Sequence, residues 1–269
     1  MPANRLRSLS KTGQVPVAKI NSIGLIGYGN FGKFVHTLFE RFAPETKFRV
    51  HSPSRQKSGS GGGGVFYSLE EVAECDAVFL CVPISRYKQY LEMLRPLLLP
   101  HTVLIDVATV KVYTGELIRD ILKSQPYIST HPMFGPESYA KQNYEVTGLR
   151  IVVTESNLPK EKHNQLLQHI GDLGFSVVEK SGEQHDKEVA ETLFLTHYVG
   201  QVISRGGFER TEIDTVSFGY LMDAVDSVRH DTQLFEDVQR FNPYCKDVIQ
   251  RFDDSENEVK NLLLNSTSD

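Results

Sequence analysis

One glycine pattern constrains this chain more than any other feature. Gly27-Tyr28-Gly29-Asn30-Phe31-Gly32 closes the short apolar run of residues 22–27 and opens residues 30–42, where Phe31, Phe34, Val35, Leu38 and Phe39 recur at helical spacing. Such a pattern is weak alone, but between a buried strand and an amphipathic helix it specifies a tight strand–turn–helix. Gly27 permits the turn, Gly29 lets backbone approach a pyrophosphate, and Gly32 lets helix and strand pack closely. Free N–H groups and the dipole at the helix start favour phosphate. With Tyr28, Asn30 and Phe31 between them, these residues form a candidate dinucleotide turn. The plainer alternative is a glycine-rich turn without a ligand.

The pattern beyond the turn repeats the theme. Phe48–Val50, Asp76–Pro83, Thr102–Asp106 and Tyr127–Thr130 read as strands, with helices over residues 86–98 and 112–123. Leu149–Thr154, a helix near 159–172 and Phe175–Val178 follow. Continuously apolar strands alternating with amphipathic helices predict a doubly wound, Rossmann-type parallel sheet covered on both faces. From about residue 181 the strand signal stops, and Val189–Val202, Glu212–Val228 and residues 231–264 read as helix. The expected organisation is an α/β nucleotide-binding domain over 20–180 and a smaller all-helical domain over 181–269, after a flexible tail at 1–19. A second unit that small needs the first domain, or a second copy of itself, to bury its apolar faces. Ser58–Gly64 is a low-complexity run that reads as a flexible surface loop.

Composition excludes several classes. With 269 residues, 40% hydrophobic and 23% charged, the chain can build a sizeable core. A net charge of −5 argues against a dedicated nucleic-acid binder. No apolar run approaches the ~20 residues that span a bilayer. Cys75, Cys81 and Cys245 are too few and scattered for a disulfide framework, and no metal-ligand spacing occurs. A reducing compartment such as the cytoplasm follows. The basic segment 1–19 resembles a short organelle transit peptide, so a plastid is the alternative.

The second strand candidate ends Val50-His51-Ser52-Pro53-Ser54-Arg55 without the carboxylate that an NAD site places there for the ribose hydroxyls. Ser52 and Ser54 offer hydrogen bonds to a 2′-phosphate, and Arg55 offers charge and a stacking plane, which favours NADP. Val82 and Pro83, closing the third strand, are further cofactor candidates. Ligands in such sheets lie beyond the carboxyl ends of the strands, so Thr109 and Lys111, just after Ile105-Asp106, point toward the cofactor region. His131 follows Tyr127–Thr130 directly and is held by Pro132, a suitable place for proton transfer. His185-Asp186 reads more plainly, as a helix cap or a contact across the domain seam.

Gly27–Gly32, Val50–Arg55, Asp106–Lys111 and above all Thr130-His131-Pro132-Met133-Phe134-Gly135-Pro136-Glu137-Ser138 resemble the arogenate/prephenate dehydrogenases of tyrosine biosynthesis, and most of all their NADP-dependent, plant-like arogenate branch. The resemblance continues through Glu183–Lys187 and Thr196-His197 and, more loosely, Gly219-Tyr220-Leu221. It implies a small-molecule cyclohexadienol whose ring hydroxyl carbon gives hydride to a nicotinamide while the ring carboxylate leaves as CO₂. It implies that His131 acts as base on the hydroxyl, that Thr109 orients His131 or that hydroxyl, and that His197 faces the cleft and contacts substrate. Lys111 and Gly135 are further substrate candidates. Many bacterial prephenate enzymes carry an arginine in the second domain, yet Gly219–Val225 contains none. Its absence favours arogenate, whose side chain bears an amine, over prephenate. Arg229 and Arg240 are the nearest cations. A homodimer through the helices is also implied.

Two other readings stay open. β-Hydroxyacid dehydrogenases and imine reductases share this plan but commonly place a catalytic lysine on the long helix, and Glu191–Val202 contains none. A non-catalytic NADPH sensor would have no need to keep His131, Thr109 and His197 together.

Overall fold

The computed structural model describes residues 20–53 and 65–265. The segment 1–19, Ser54, Arg55 and the Ser58–Gly64 run lie outside the described residues.

The glycine turn joins β1 (Ser22–Ile26) to α1 (Asn30–Phe42), and the chain returns through β2 (Lys47–His51). A short helix, α2 (Leu69–Ala73), precedes β3 (Ala77–Leu80). Ser68 and Glu71 cap α2 reciprocally, a Ser-x-x-Glu signal that apolar periodicity alone passes over. A 3₁₀ turn at Ile84–Arg86 leads into α3 (Tyr87–Leu94), then β4 (Val103–Asp106), α4 (Val112–Leu122) and β5 (Tyr127–Pro132). Next come α5 (Pro136–Lys141), β6 (Arg150–Ser156), α6 (Lys160–Asp172) and β7 (Ser176–Glu179).

These strands form one sheet in the order β2-β1-β3-β4-β5-β6-β7. β1 to β5 pair in parallel, as their apolar runs predict. β5 and β6 pair antiparallel, so β6 and β7 run opposite to the rest and the sheet is mixed. After β5 the chain does not cross the sheet. Phe134, Tyr139, Val146 and Leu149 of the following segment pack on Phe34 of α1, and the Met133 N–H donates to the Arg150 carbonyl at 2.9 Å. The chain therefore re-enters the sheet at the end it left, which antiparallel pairing permits.

After β7 every described element is a helix. α7 (Gly182–Val189), capped reciprocally by Ser181 and Gln184, continues through a π-helical turn at Ala190–Phe194 into α8 (Leu195–Arg205). The helix expected from Glu212 starts later, as α9 (Val216–Val228), because the Thr215 hydroxyl caps it by accepting from the Phe218 N–H. The single helix expected over 231–264 is two, α10 (Thr232–Phe241) and α11 (Cys245–Asn265). Pro243 lies at the break, where its ring and missing N–H stop a helix.

The apolar core ignores the change in secondary structure. Val189, Ala190, Phe194, Val238, Cys245 and Val248 belong to the same buried cluster as Leu80, Tyr87, Leu104 and Ile118. The helices complete the sheet's core, and α7 meets the end of β5 where His185 contacts His131.

Candidate active site

The nucleotide turn is shaped by three glycines with different duties. Gly27 sits at φ +94°, and a methyl group there would lie 2.3 Å from the Cys81 carbonyl oxygen, just after β3. A methyl on Gly32 would lie 2.2 Å from the Gly27 carbonyl oxygen. Gly29 is the opposite case, with nothing among the described residues within 4 Å of its methyl position. It is the N-cap of α1, and among the described residues no side-chain cap is made there. The first N–H groups of α1 therefore border an open cradle. That cradle stands between β1 and β3, where the order of the strands reverses and ligands bind in sheets of this kind.

The flanking residues fit a dinucleotide. Val82 borders the turn, its Cγ1 3.0 Å from the Gly27 methyl position, and Pro83 is exposed beyond it. Tyr28 bonds His36 through its hydroxyl (2.8 Å) and meets Phe66 edge-on, while Phe31 packs beside Phe34 and Asn30 is exposed. His51 and Ser52 are buried at the end of β2, and burial lowers the pKa of the His51 imidazole.

A second centre forms where β4 and β5 end. Asp106, fully buried, is met at Oδ1 by the Tyr87 hydroxyl (2.8 Å) and the Ala108 N–H (2.9 Å). At Oδ2 it is met by Lys111 Nζ (2.7 Å), Thr114 Oγ1 (3.1 Å) and Ser129 Oγ (2.5 Å). Lys111 Nζ also donates to the Thr130 carbonyl at 2.6 Å. Its ammonium is thus committed beneath the site, which corrects the expectation that Lys111 points out toward ligand. Burial pulls its pKa down and Asp106 opposes that pull. The pair fixes the backbone immediately before His131.

His131 is buried, and its Nδ1 lies 2.8 Å from Nε2 of His185 on α7. His185 Nδ1 lies 2.8 Å from Asp186 Oδ1. Asp186 also accepts the N–H groups of Lys111 (2.8 Å) and Val112 (2.9 Å), so it caps α4, a neighbouring helix and not its own. The dipeptide does not cap its own helix, which Ser181 caps; Asp186 meets the start of α4 instead. The bond to His131 was not foreseen, because adjacency in sequence says nothing about a histidine 54 residues away. Burial first, then His185 and Lys111, hold His131 well below the usual imidazole range, so it is neutral near pH 7.

Other candidates are distributed differently. Thr109 is half-buried and makes no hydrogen bond to His131 among the described residues; His185 holds that ring instead. His197 on α8 is buried with its ring parallel to Phe235 of α10, centroids 6.3 Å apart. Its Nδ1 is enclosed without a hydrogen-bond partner, and burial lowers its pKa against the opposing charge of Asp231. Gly135, the N-cap of α5, borders open space. Arg229 is exposed and paired with Asp226 (2.9 Å), and Arg240 is exposed over the Phe241 ring. Neither joins the His131 cluster, so the structure does not bring the expected carboxylate anchor to the site. Among the described residues no group of acidic, histidine or cysteine side chains is arranged for a metal ion, and no helix is long and apolar enough to cross a membrane.

The chain is similar to several known proteins. Residues 57–170 match the family described as prephenate dehydrogenase, nucleotide-binding domain, and residues 202–269 match the TYRAAT1-like C-terminal domain. The chain is 29% identical to arogenate dehydrogenase 2, chloroplastic, of Arabidopsis thaliana over 90% of its length and 69% of the relative's. It is 30% identical to arogenate dehydrogenase 1, chloroplastic, of the same plant over 92% of its length, spanning 41% of that relative. In fold it resembles the prephenate dehydrogenase of A. aeolicus crystallised with hydroxyphenyl propionate and NAD+, at TM-score 0.70, 19% identity and 93% coverage of both chains.

Proposed function

We propose that this chain is a member of the arogenate/prephenate dehydrogenase family, which its similarities support, and that it oxidatively decarboxylates arogenate to tyrosine with NADP. Membership makes it an oxidoreductase. The substrate and the choice of dinucleotide are our reading.

The observation that carries the reading is the state of His131. Its Nδ1 is engaged by His185, which leaves Nε2 as the edge for a substrate hydroxyl. Burial keeps the ring neutral and therefore able to accept a proton. When bound, the dinucleotide supplies a nicotinamide ring that accepts hydride. The backbone at Gly29 and the start of α1 would hold its phosphates, with Gly27, Gly32 and Val82 shaping the turn. His131 takes the hydroxyl proton as the ring carbon is oxidised, and loss of the ring carboxylate as CO₂ leaves an aromatic product. His197, buried on α8, is the substrate contact that the resemblance implies, and Thr109 adds a hydroxyl just after β4.

NADP is supported by a β2 end that holds His51 and Ser52 and no carboxylate. Arogenate is supported by the two Arabidopsis arogenate dehydrogenases that the chain resembles and by the lack of an arginine in Gly219–Val225. A homodimer is supported by apolar side chains left exposed on and beside α8 and α9, among them Val202, Phe208, Val216 and Tyr220. For location we keep the cytoplasm, with a plastid as the alternative that the relatives' names favour.

Steady-state reduction of NADP and of NAD, with arogenate and then with prephenate, tests the reading. Fastest turnover with arogenate and NADP supports it. A preference for prephenate means that another cation serves the carboxylate, and no turnover with any pair overturns the enzyme reading in favour of a sensor. In an active enzyme His131→Asn lowers kcat by ~10²–10⁴-fold while dinucleotide binding persists.

A further inference from the structure

The reading above gives His131 a proton to accept, yet its surroundings oppose a positive charge there. The ring is buried, and the groups facing it are His185 from α7 and the Lys111 ammonium from the β4–α4 turn. Lys111 is itself paired with Asp106, so the carboxylate beneath the site is already occupied by a cation. A base in this position accepts a proton easily only if charge does not stay on it.

We infer that His131, His185 and Asp186 form a proton relay in which Asp186 fixes the tautomers of both imidazoles and the positive charge comes to rest on His185. The inference rests on the dehydrogenase reading for its substrate, and on three distances for its geometry. Asp186 is an acceptor to all its neighbours, taking the N–H groups of Lys111 and Val112, so the hydrogen between it and His185 belongs to His185 Nδ1. A neutral His185 then presents a lone pair at Nε2. The only hydrogen that can fill the 2.8 Å contact comes from His131 Nδ1, which leaves a bare lone pair at His131 Nε2. Asp186 thus decides, two bonds away, that the outer nitrogen of His131 is a base.

The protons balance. The substrate hydroxyl proton passes to His131 Nε2 while the His131 Nδ1 proton passes to His185 Nε2. His131 ends neutral, with its hydrogen moved from one nitrogen to the other. His185 ends as an imidazolium whose Nδ1–H still points at the Asp186 carboxylate, 2.8 Å away. The geometry stays fixed throughout. Asn242 Nδ2 donates to the Asp186 backbone carbonyl at 2.8 Å from the end of α10, and Asp186 is tied to α4, so three helices hold His185 in place. His185 and Asp186 are positioning residues here, since neither touches substrate.

Two measurements on the full chain test this. The first needs no activity. In protein labelled with ¹⁵N at histidine, with His131→Asn and His185→Gln used for assignment, both His131 and His185 are expected as Nδ1–H tautomers near neutral pH. A hydrogen on His131 Nε2 overturns the relay whether or not the protein turns over any substrate. The second is kinetic. Glutamine at 185 offers an amide oxygen that still accepts from His131 Nδ1–H but cannot take the proton. His185→Gln is therefore expected to lower kcat by ~10–100-fold with little change in the KM for dinucleotide. It should also shift the acidic limb of kcat/KM, because the proton accepted by His131 then has no second imidazole to pass to. A residue that merely fills space would leave kcat within about twofold and the limb in place, and that result overturns the relay. A wild-type chain silent toward both substrates would fail the dehydrogenase reading, while the tautomer spectrum would still decide the relay's geometry.

Discussion

Around Gly29 the chain makes a cradle from what it leaves out, whereas around His131 it makes a reactive nitrogen from side chains gathered across the fold. The cradle is local. Gly27 and Gly32 are closed by neighbouring backbone, Gly29 is open, and all three lie in one turn between β1 and α1. The proton centre is not local. Asp106 comes from β4, Lys111 from the turn after it, His131 from β5, and His185 and Asp186 from α7 beyond the last strand. A site built by exclusion tolerates changes that add no volume. A site built from paired polar groups fails when any buried partner is lost, because the remaining group stays dehydrated.

The largest effect expected from that contrast is at Asp106. Asp106→Asn removes the carboxylate that faces Lys111 Nζ at 2.7 Å in a fully buried pair. An uncompensated buried ammonium costs about 3–5 kcal/mol, to be read from urea unfolding. Adding Lys111→Met to the same protein should recover most of that loss. If Asp106→Asn alone changes stability by less than ~1 kcal/mol, the pairing account of this centre is wrong.

How much of this was legible in sequence follows the same divide. The glycine turn was readable because its strand, turn and helix are contiguous, and β1 and α1 fall where residues 22–27 and 30–42 predict them. His131 was readable from its place after an apolar run and from the residues that follow it. The partner of His131 was not, since a contact over 54 residues is set by how α7 seats on the sheet. Asp106 left a fainter trace, as a single carboxylate ending the apolar run Val103–Ile105, and its hub of donors emerges only from the packing of α3, α4 and β5. Direction of travel was equally hidden: Arg150–Ser156 reads as a strand either way, and only the return of residues 133–149 onto α1 makes it antiparallel.

A paired substitution sharpens the cradle side. Gly32→Ala drives a methyl into the Gly27 carbonyl and should cost about 1–3 kcal/mol in unfolding experiments. Gly29→Ala meets no neighbour, and its φ of −74° suits any residue. Stability should therefore change by less than ~0.5 kcal/mol. Dinucleotide affinity should nonetheless fall by about tenfold or more, since the methyl occupies the space a pyrophosphate needs. Equal losses of stability in the two variants would remove the distinction between a closed and an open glycine.

The smallest effect separates the two regions by pH. His51, His131 and His197 all have pKa values lowered by burial. In the unfolded chain such imidazoles titrate near ~6.5. As pH falls below that point the unfolded chain gains protons that the folded chain refuses until lower pH, so stability rises with pH and drains away on acidification. One such group contributes a slope of up to about 1.4 kcal/mol per pH unit within its window. Urea unfolding at about pH 7.5, 6.5 and 5.5 should therefore show a shallower loss of stability on acidification in His131→Asn than in wild type. Gly29→Ala should keep the full wild-type slope, because the substitution removes no titrating group. Parallel slopes in all three proteins would mean that the acid sensitivity lies in the other histidines or in carboxylates, and that burial at His131 does not hold its ring neutral.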